Sequence, residues 1–412
     1  MRMKFNKSSQ LLLVSAAGLL VAGLLSACST LTIDFVYVAS SKAAGTNNYG
    51  QIDVLEINSE SGYMRHIPTS PFPSGGRNPV AEAVSEDQSN LYVVNQDDNT
   101  IVQFAIGNDG KVYPQNTTNT PGIFPLAVAI NGTNLFVVDT YQPLPICSTA
   151  NPCSGSIGVL PITLGKGSPP SDTLGSPILN GALTYWPLSL PSAPQDILVP
   201  TGVNVLANGS YVYVTAYDGT AAPNVGYVFG FAVNSDRTLT PLNGGVPFPA
   251  GTHPSSAASD ATSSYLWVTD IAAGNVLAYA VSSGQLTAVP GSPFKAGDQP
   301  AAVVADPAYP YVYVANEADA TVTAYSTANG ALTSLGNYAT GLQPVALGID
   351  PSTNHFLYTA NYLGNNTNGT VSGFELNPAD GSLVNSQKSS FTVNALPTAV
   401  TAITHGKTTS TK

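Results

Sequence analysis

The chain has 412 residues, with 13 Lys and Arg against 24 Asp and Glu, a formal net charge of −11. So acidic a balance excludes nucleic-acid binding through clustered cations, and adhesion to anionic lipid by charge. Charged residues are only 9% of the chain, while Gly, Pro, Ser, Thr and Asn abound. That is the composition of a turn-rich all-β protein rather than of a helical enzyme.

Residues 1–27 read as a targeting segment. Arg2, Lys4 and Lys7 form a basic start, Leu11 to Leu25 is apolar, and Leu25-Ser26-Ala27-Cys28 has the form of a bacterial lipobox. The rival is an ordinary secretory signal with a chance cysteine. In the lipobox reading Cys28 becomes the acylated N-terminus, 28–34 a tether, and several acyl chains anchor more firmly than one. The address is the bacterial cell envelope. Ser29, standing where Asp is absent, resembles Gram-negative lipoproteins of the outer membrane. Loss of the leader leaves 10 basic against 24 acidic residues, a net of −14.

Beyond the leader, a hydrophobic–aromatic–Val-like run recurs seven times, centred on Tyr37, Tyr92, Phe136, Tyr213, Trp267, Tyr313 and Tyr358. Six copies follow a proline by 11 to 14 residues: Pro79, Pro125, Pro200, Pro254, Pro300 and Pro344. The aromatics are spaced by 55, 44, 77, 54, 46 and 45 residues, and a period near 45 is that of a four-stranded propeller blade. In one unit, Pro300 to Ala305 makes strand A, Tyr311 to Ala315 strand B, Thr321 to Tyr325 strand C and Ala331 to Leu335 strand D. Proline suits the first residue of a strand, where its missing N–H is not needed. The strand B aromatics should be packed between neighbouring blades.

The chain enters at Phe35-Val36-Tyr37-Val38, a strand B with no strand A before it. It leaves through Pro397 to Ile403, a strand A with no strand B after it. The two should pair and seal the ring, removing its free edges. The expected fold is therefore all-β, a seven-bladed propeller over 35–404 closed by its C-terminal strand, with a tail at 405–412. The long interval in blade three carries insertions near 141–155 and 165–194, expected to decorate the disk. Cys147 and Cys153 lie in the first of these, and export favours a local disulfide between them; a metal site is the rival, with no nearby His or third Cys.

If strand A runs away from one face and strand B returns to it, the D–A connections and B–C loops share one axial mouth. Candidate ligand-binding residues there are Arg77, Asn95, Asp97, Asp139, Tyr217, Asp270, Asn316 and Asn361. Asn and Asp also serve simply as turn formers. His253 is the acid/base candidate, with Glu317 or Asp270 as its partner. His66 reads as an outer-strand residue, His355 as part of an opposite-face turn and His405 as tail. No nucleophile elbow, metal-ligand His spacing or phosphate-cradling Gly loop occurs. No cofactor is implied; Asp97-Asp98-Asn99 leaves room for a Ca or Mg ion but lacks the full spacing of a known calcium loop.

Tyr213-Val-Thr-Ala, Trp267-Val-Thr-Asp and Tyr313-Val-Ala-Asn resemble the YVTN repeats of seven-bladed propellers of the lactonase-like family, which includes the propeller-type 6-phosphogluconolactonases. The resemblance covers nearly all of residues 35–404. By it, Tyr313-Val314-Ala315-Asn316-Glu317 matches the family's Tyr-Val-X-Asn-Glu run, so Glu317 carries over as a catalytic residue. Gly297-Asp298-Gln299-Pro300 stands where the family has a Gly-Pro-Arg-His segment. A phosphorylated sugar acid wants several cationic or N–H donors, and this face offers mainly Arg77. The reading preferred from sequence is an envelope-anchored, monomeric propeller that binds a small ligand, glycan or partner protein at its polar mouth. The alternative is a hydrolase acting on a sugar lactone or other lactone, with Glu317 or His253 activating water.

Overall fold

The computed structural model describes residues 33–41, 46–165, 172–351, 356–364, 368–393 and 395–404. The leader, Cys28, His355, His405 and the tail lie outside the described residues. Seven antiparallel sheets follow one another along the chain, each with four main strands in A-B-C-D order. Five sheets add a two-residue strand beside strand C, such as Phe72–Pro73 or Phe294–Lys295. The only other regular elements among the described residues are two 3-10 turns.

The ring closes as the sequence implies. Strand A of blade one is Pro397–Ile403, which pairs antiparallel with strand B, Ile33–Ser40, from Phe35 opposite Ile403 to Ser40 opposite Pro397. Blade one is thus built from both ends of the propeller, and no inner edge is left unpaired.

There is no single central core. Seven apolar clusters each lie between two adjacent blades. Alternation along strand B divides its side chains between two neighbours: Phe35, Tyr37 and Ala39 pack toward blade two, Val36 and Val38 toward blade seven. Strand B is therefore apolar on both faces, which produces the continuous run seen in the sequence. All seven anchor aromatics are buried, as expected.

The anchors also bond across the blades. The Tyr37, Tyr213 and Tyr313 hydroxyls and the Trp267 indole N–H donate to the carbonyls of Gly110, Gly284, Gly381 and Gly330, at 3.0, 3.0, 3.2 and 2.9 Å. Each acceptor is in the C–D turn of the following blade, and each bond contributes about 1 kcal/mol net. These four glycines have φ between 73° and 80°. A Cβ on them would strike Phe35, Tyr211, Tyr311 and Tyr265, each two residues before an anchor. Backbone freedom and space both require glycine there.

The insertions of blade three differ from expectation in one respect. The stretch 172–194 is not mere decoration, because Trp186, Leu188 and Leu190 join the apolar cluster between blades three and four. Blade three's own strand D is only Thr173–Leu174.

Candidate functional site at the axial mouth

The inner two strands of every blade share one irregularity. In each A–B pair the register slips by one residue just after the strand A proline, leaving Thr398, Val80, Leu126, Thr201, Ser255, Ala301 and Val345 unpaired. Such bulges re-aim the strand at its end. Two of the bulged hydroxyls tie the ring together: Thr398 donates to the Pro79 carbonyl at 2.7 Å, and Ser255 to the Pro300 carbonyl at 2.6 Å.

Opposite the prolines stand Asn95, Asp139, Asp270, Asn316 and Asn361, the last residues of the aromatic runs. All five are fully or almost fully buried. Each lies against a glycine three residues before the proline: Gly76, Gly122, Gly251, Gly297 and Gly341, where a Cβ would overlap the Asn or Asp side chain. Asp139, Asn316 and Asp270 also hold the incoming connection by hydrogen bonds. Asp139 accepts from the Gly122 N–H at 2.9 Å, Asn316 from the Gly297 N–H at 3.0 Å, and Asp270 from the N–H groups of Thr252, His253, Ala272 and Ala273. Asn361 donates to the Thr370 and Ser372 hydroxyls, at 3.0 and 2.9 Å. The geometry gives these five residues a clamping job rather than a free ligand-facing one. The missed signal in the sequence was Gly-x-x-Pro, which pairs with the Asn or Asp that closes each run.

The clamp presents the two residues between glycine and proline at the mouth. The residue directly before proline is Asn78, Phe124, His253, Gln299 and Gln343 in the clamped blades, and each is partly or fully exposed. Asn78, Phe124, Gln299 and Gln343 have φ of 52°, 54°, 53° and 55°. A left-handed residue before proline is uncommon, and for Phe it is a true outlier.

The remaining candidates separate by what they touch. Arg77 donates through its Nε and backbone N–H to Asp98, both at 2.7 Å, and through a terminal nitrogen to the Asp97 carbonyl at 3.1 Å. Asp97 accepts from Asn78. The guanidinium is thus already paired, and among the described residues no three His, Cys, Asp or Glu side chains gather as a metal site. Tyr217 of blade four stacks on His253 of blade five, ring centroids 3.9 Å apart at 36°. Burial holds the imidazole below its usual pKa in spite of Asp270, so the ring is neutral at pH 7.

Burial raises the Glu317 carboxyl above its ordinary pKa, and it makes no hydrogen bond to the described residues. Only its backbone is engaged, its N–H donating to the Gln299 carbonyl at 2.8 Å. Among the other buried or partly buried mouth carboxylates, Asp98 is held by Arg77, Asp218 by Thr220 and Ala221, Asp270 by its four N–H groups, and Asp139 by Gly122 through one oxygen while its Oδ1 has no partner. Burial pushes Asp139 up to about 7. Glu317 follows strand B of blade six and His253 precedes strand A of blade five, so they sit in adjacent blades. Arg77 belongs to blade two, across the ring, and does not join them. His66 is in an outer strand, as expected, paired with Asp53 at 2.9 Å.

The sequence matches the family described as lactonase, seven-bladed β-propeller, over residues 45–143 and 189–393. The chain belongs to this family. The unmatched middle is the disulfide loop and most of the insertion that follows it; Cys147 and Cys153 are joined there with Cα atoms 5.5 Å apart. Among solved structures, a candidate 6-phosphogluconolactonase of Bacteroides fragilis is 21% identical, the match covering 91% of this chain and 99% of that one at a TM-score of 0.65. A periplasmic gluconolactonase of Pseudomonas aeruginosa is 18% identical, covering 90% and 99% at 0.67. At these identities the likeness is one of fold. No curated protein matches the chain.

Proposed function

We propose that this lactonase-family propeller is a lactone hydrolase acting on an uncharged sugar lactone or related lactone. Family membership supports this reading over the binding or scaffold role preferred from sequence alone. One observation carries it: Glu317 is a half-buried mouth carboxylate with a raised pKa and no hydrogen-bond partner among the described residues. A free carboxylate of raised pKa is suited to general-base chemistry near neutrality. Glu317 takes a proton from water as the oxygen attacks the lactone carbonyl. The tetrahedral intermediate collapses with cleavage of the ring C–O bond, and protonated Glu317 returns the proton to the leaving oxygen. Neutral His253 donates an N–H to the developing oxyanion.

Charge favours a substrate without phosphate. In the connections that form the mouth, Arg77 is the one cation among the described residues, and Asp98 already neutralises it. The relatives' names carry lactone chemistry, and the acidic mouth argues for its unphosphorylated form. We also infer that the mature chain is exported and lipid-anchored through Cys28, as a monomer; the lipobox and the Cys147–Cys153 disulfide support that address.

The test is hydrolysis of glucono-1,5-lactone followed by acid release, with Glu317→Gln and His253→Ala beside the wild type. Loss of at least about a hundredfold in kcat for Glu317→Gln is expected for a removed general base. Wild-type rates no faster than buffer would remove the lactonase reading, and unchanged rates in both variants would remove this assignment of roles.

A further inference from the structure

The mouth is chemically lopsided. From blade three to blade five it carries rings: Phe124 meets Tyr141 edge-on at 5.9 Å, and Tyr217 stacks on His253 at 3.9 Å. Strand B of blade three, which ends on Tyr141, packs on strand A of blade four, whose Val199 pairs with Tyr217, so the two pairs stand on neighbouring blades as one arc. All four side chains are partly exposed, so the arc presents ring surface to the mouth rather than to a blade interior. The other blades present amides and a carboxylate: Gln299, Glu317, Gln343 and Asn78.

The arc is held in place. Phe124 keeps its left-handed backbone because its N–H donates to the Asn99 side chain at 2.7 Å and its carbonyl accepts from the Thr140 hydroxyl at 2.7 Å. An apolar residue kept at positive φ by two side-chain bonds is strain of the kind that collects at functional sites. His253 is fixed on both sides, its N–H on Asp270 at 3.1 Å and its carbonyl accepting from the Ile271 N–H at 3.0 Å. The bond from Ile271 recurs from Gln96 to Asn78 and from Glu317 to Gln299, so the shared geometry of the connections is what aims these side chains at the mouth.

We propose that Phe124, Tyr141 and Tyr217, the last braced by His253, form a stacking subsite for the apolar C–H face of a neutral sugar-type ring, whose hydroxyl edge meets Gln299, Gln343 and Glu317. A flat ring face with hydroxyls on its edge fits a mouth that is aromatic on one side and amide-rich on the other. An anionic ligand does not fit, because the opposite side offers Glu317 and no unpaired cation among the described residues. The subsite deepens the lactonase reading by giving the ring of the substrate its place, with the carbonyl directed to blade six.

Two measurements keep the two ideas separate. The first uses the full chain and the unreactive probe methyl β-D-glucopyranoside: saturation-transfer NMR and a titrated Kd, with no hydrolysis required. Saturation should pass from aromatic protons to ring C–H protons. Tyr217→Ala and Phe124→Leu should each weaken Kd about three- to tenfold, the range of an aromatic stacking contact, while Tyr217→Phe keeps it. The second is KM for glucono-1,5-lactone in the same variants, with thermal melts to show that they are folded. Weakened binding without hydrolysis in any form would support the arc and sink the hydrolase. Hydrolysis with KM unchanged in Tyr217→Ala and Phe124→Leu would overturn the arc and leave the hydrolase standing. Failure of the wild type to bind the glucoside would overturn the arc as a sugar subsite.

Discussion

Glu82 offers the sharpest test of the closed ring. It lies in strand A of blade two, against strand A of blade one, which is the C-terminal closing strand. Its stem is partly exposed but both carboxyl oxygens are inaccessible and make no hydrogen bond of ordinary geometry, although the backbone of Thr401 and Ala39 lies against them. Burial pushes its pKa from 4.5 to about 8. The folded protein therefore holds a neutral acid at pH 7, whereas the unfolded chain holds a carboxylate. The raised value fixes the sign: stability is greatest below the unfolded pKa, falls as pH rises from about 4.5 to about 8, and is level above that.

The magnitude follows from the same shift. At 1.36 kcal/mol per unit, the 2.5 units between 4.5 and pH 7 amount to roughly 3 kcal/mol, an upper bound for a group of this kind. Glu82→Gln keeps the shape and removes the titration. Its stabilisation over wild type should be near zero at pH 4 and grow to roughly 3 kcal/mol by pH 7, about 4 °C in Tm for a ring of this size. Calorimetric melts of both proteins from pH 4 to pH 9 read this directly. A difference that does not change with pH, or a variant less stable than wild type at pH 8, would refute the burial of a neutral acid at the seam.

Removing residues 397–412 should unfold all blades in one transition. Strand A of blade one disappears, and the apolar clusters on both sides of that blade lose Ala399, Val400, Ala402 and Ile403; a melt retaining six folded blades would contradict this. Gly297→Ala places a Cβ 2.6 Å from Asn316 Cγ and should cost about 1–3 kcal/mol. Asn316→Ala should restore part of that loss in the double variant, so a denaturation cycle with purely additive costs would deny the clamp. Rates of lactone hydrolysis should rise with pH through the Glu317 pKa, displaced above the ordinary carboxylate range, because the base acts ionised; a profile that falls there would assign the base elsewhere.

The fold was legible because its determinants are local and repeated. Tyr313 and its six counterparts are neighbours in sequence to the residues that make their strand, and the displaced Pro397 names its partner by what Phe35 lacks. The mouth was less legible. Asn95 and Asn316 look like ligands in sequence because their burial depends on Gly76 and Gly297, which arrive from the preceding connection 19 residues earlier. Phe124 gives no signal in the sequence, and only its left-handed backbone marks it. Glu82 looks like a solvated strand residue until the C-terminal strand covers it, and Trp186 like decoration until blade four packs on it. In each case the deciding neighbour is distant in sequence.

The clamp also explains how this ring can hold one architecture and vary its chemistry. Glycine, proline and the Asn or Asp fix the path of the connection, and the Asn or Asp is buried beneath it. The pair between glycine and proline lies outside the interblade clusters: Arg77-Asn78, Ile123-Phe124, Thr252-His253, Asp298-Gln299 and Leu342-Gln343 occupy the same station in five blades. Changing such a pair alters what the mouth offers without disturbing an interblade cluster, because its side chains belong to none of them. Specificity should therefore follow the pairs and stability the clamps. The proposed preference for an uncharged substrate rests in part on Asp298-Gln299 standing beside Glu317, where the sequence offers no cation. Replacing Asp298-Gln299 with Arg-His should lower KM for a phosphorylated lactone while leaving Tm within about 1 °C, since surface changes away from caps and cores shift stability little. A large loss of Tm with no gain toward the anion would show that the pair belongs to the scaffold.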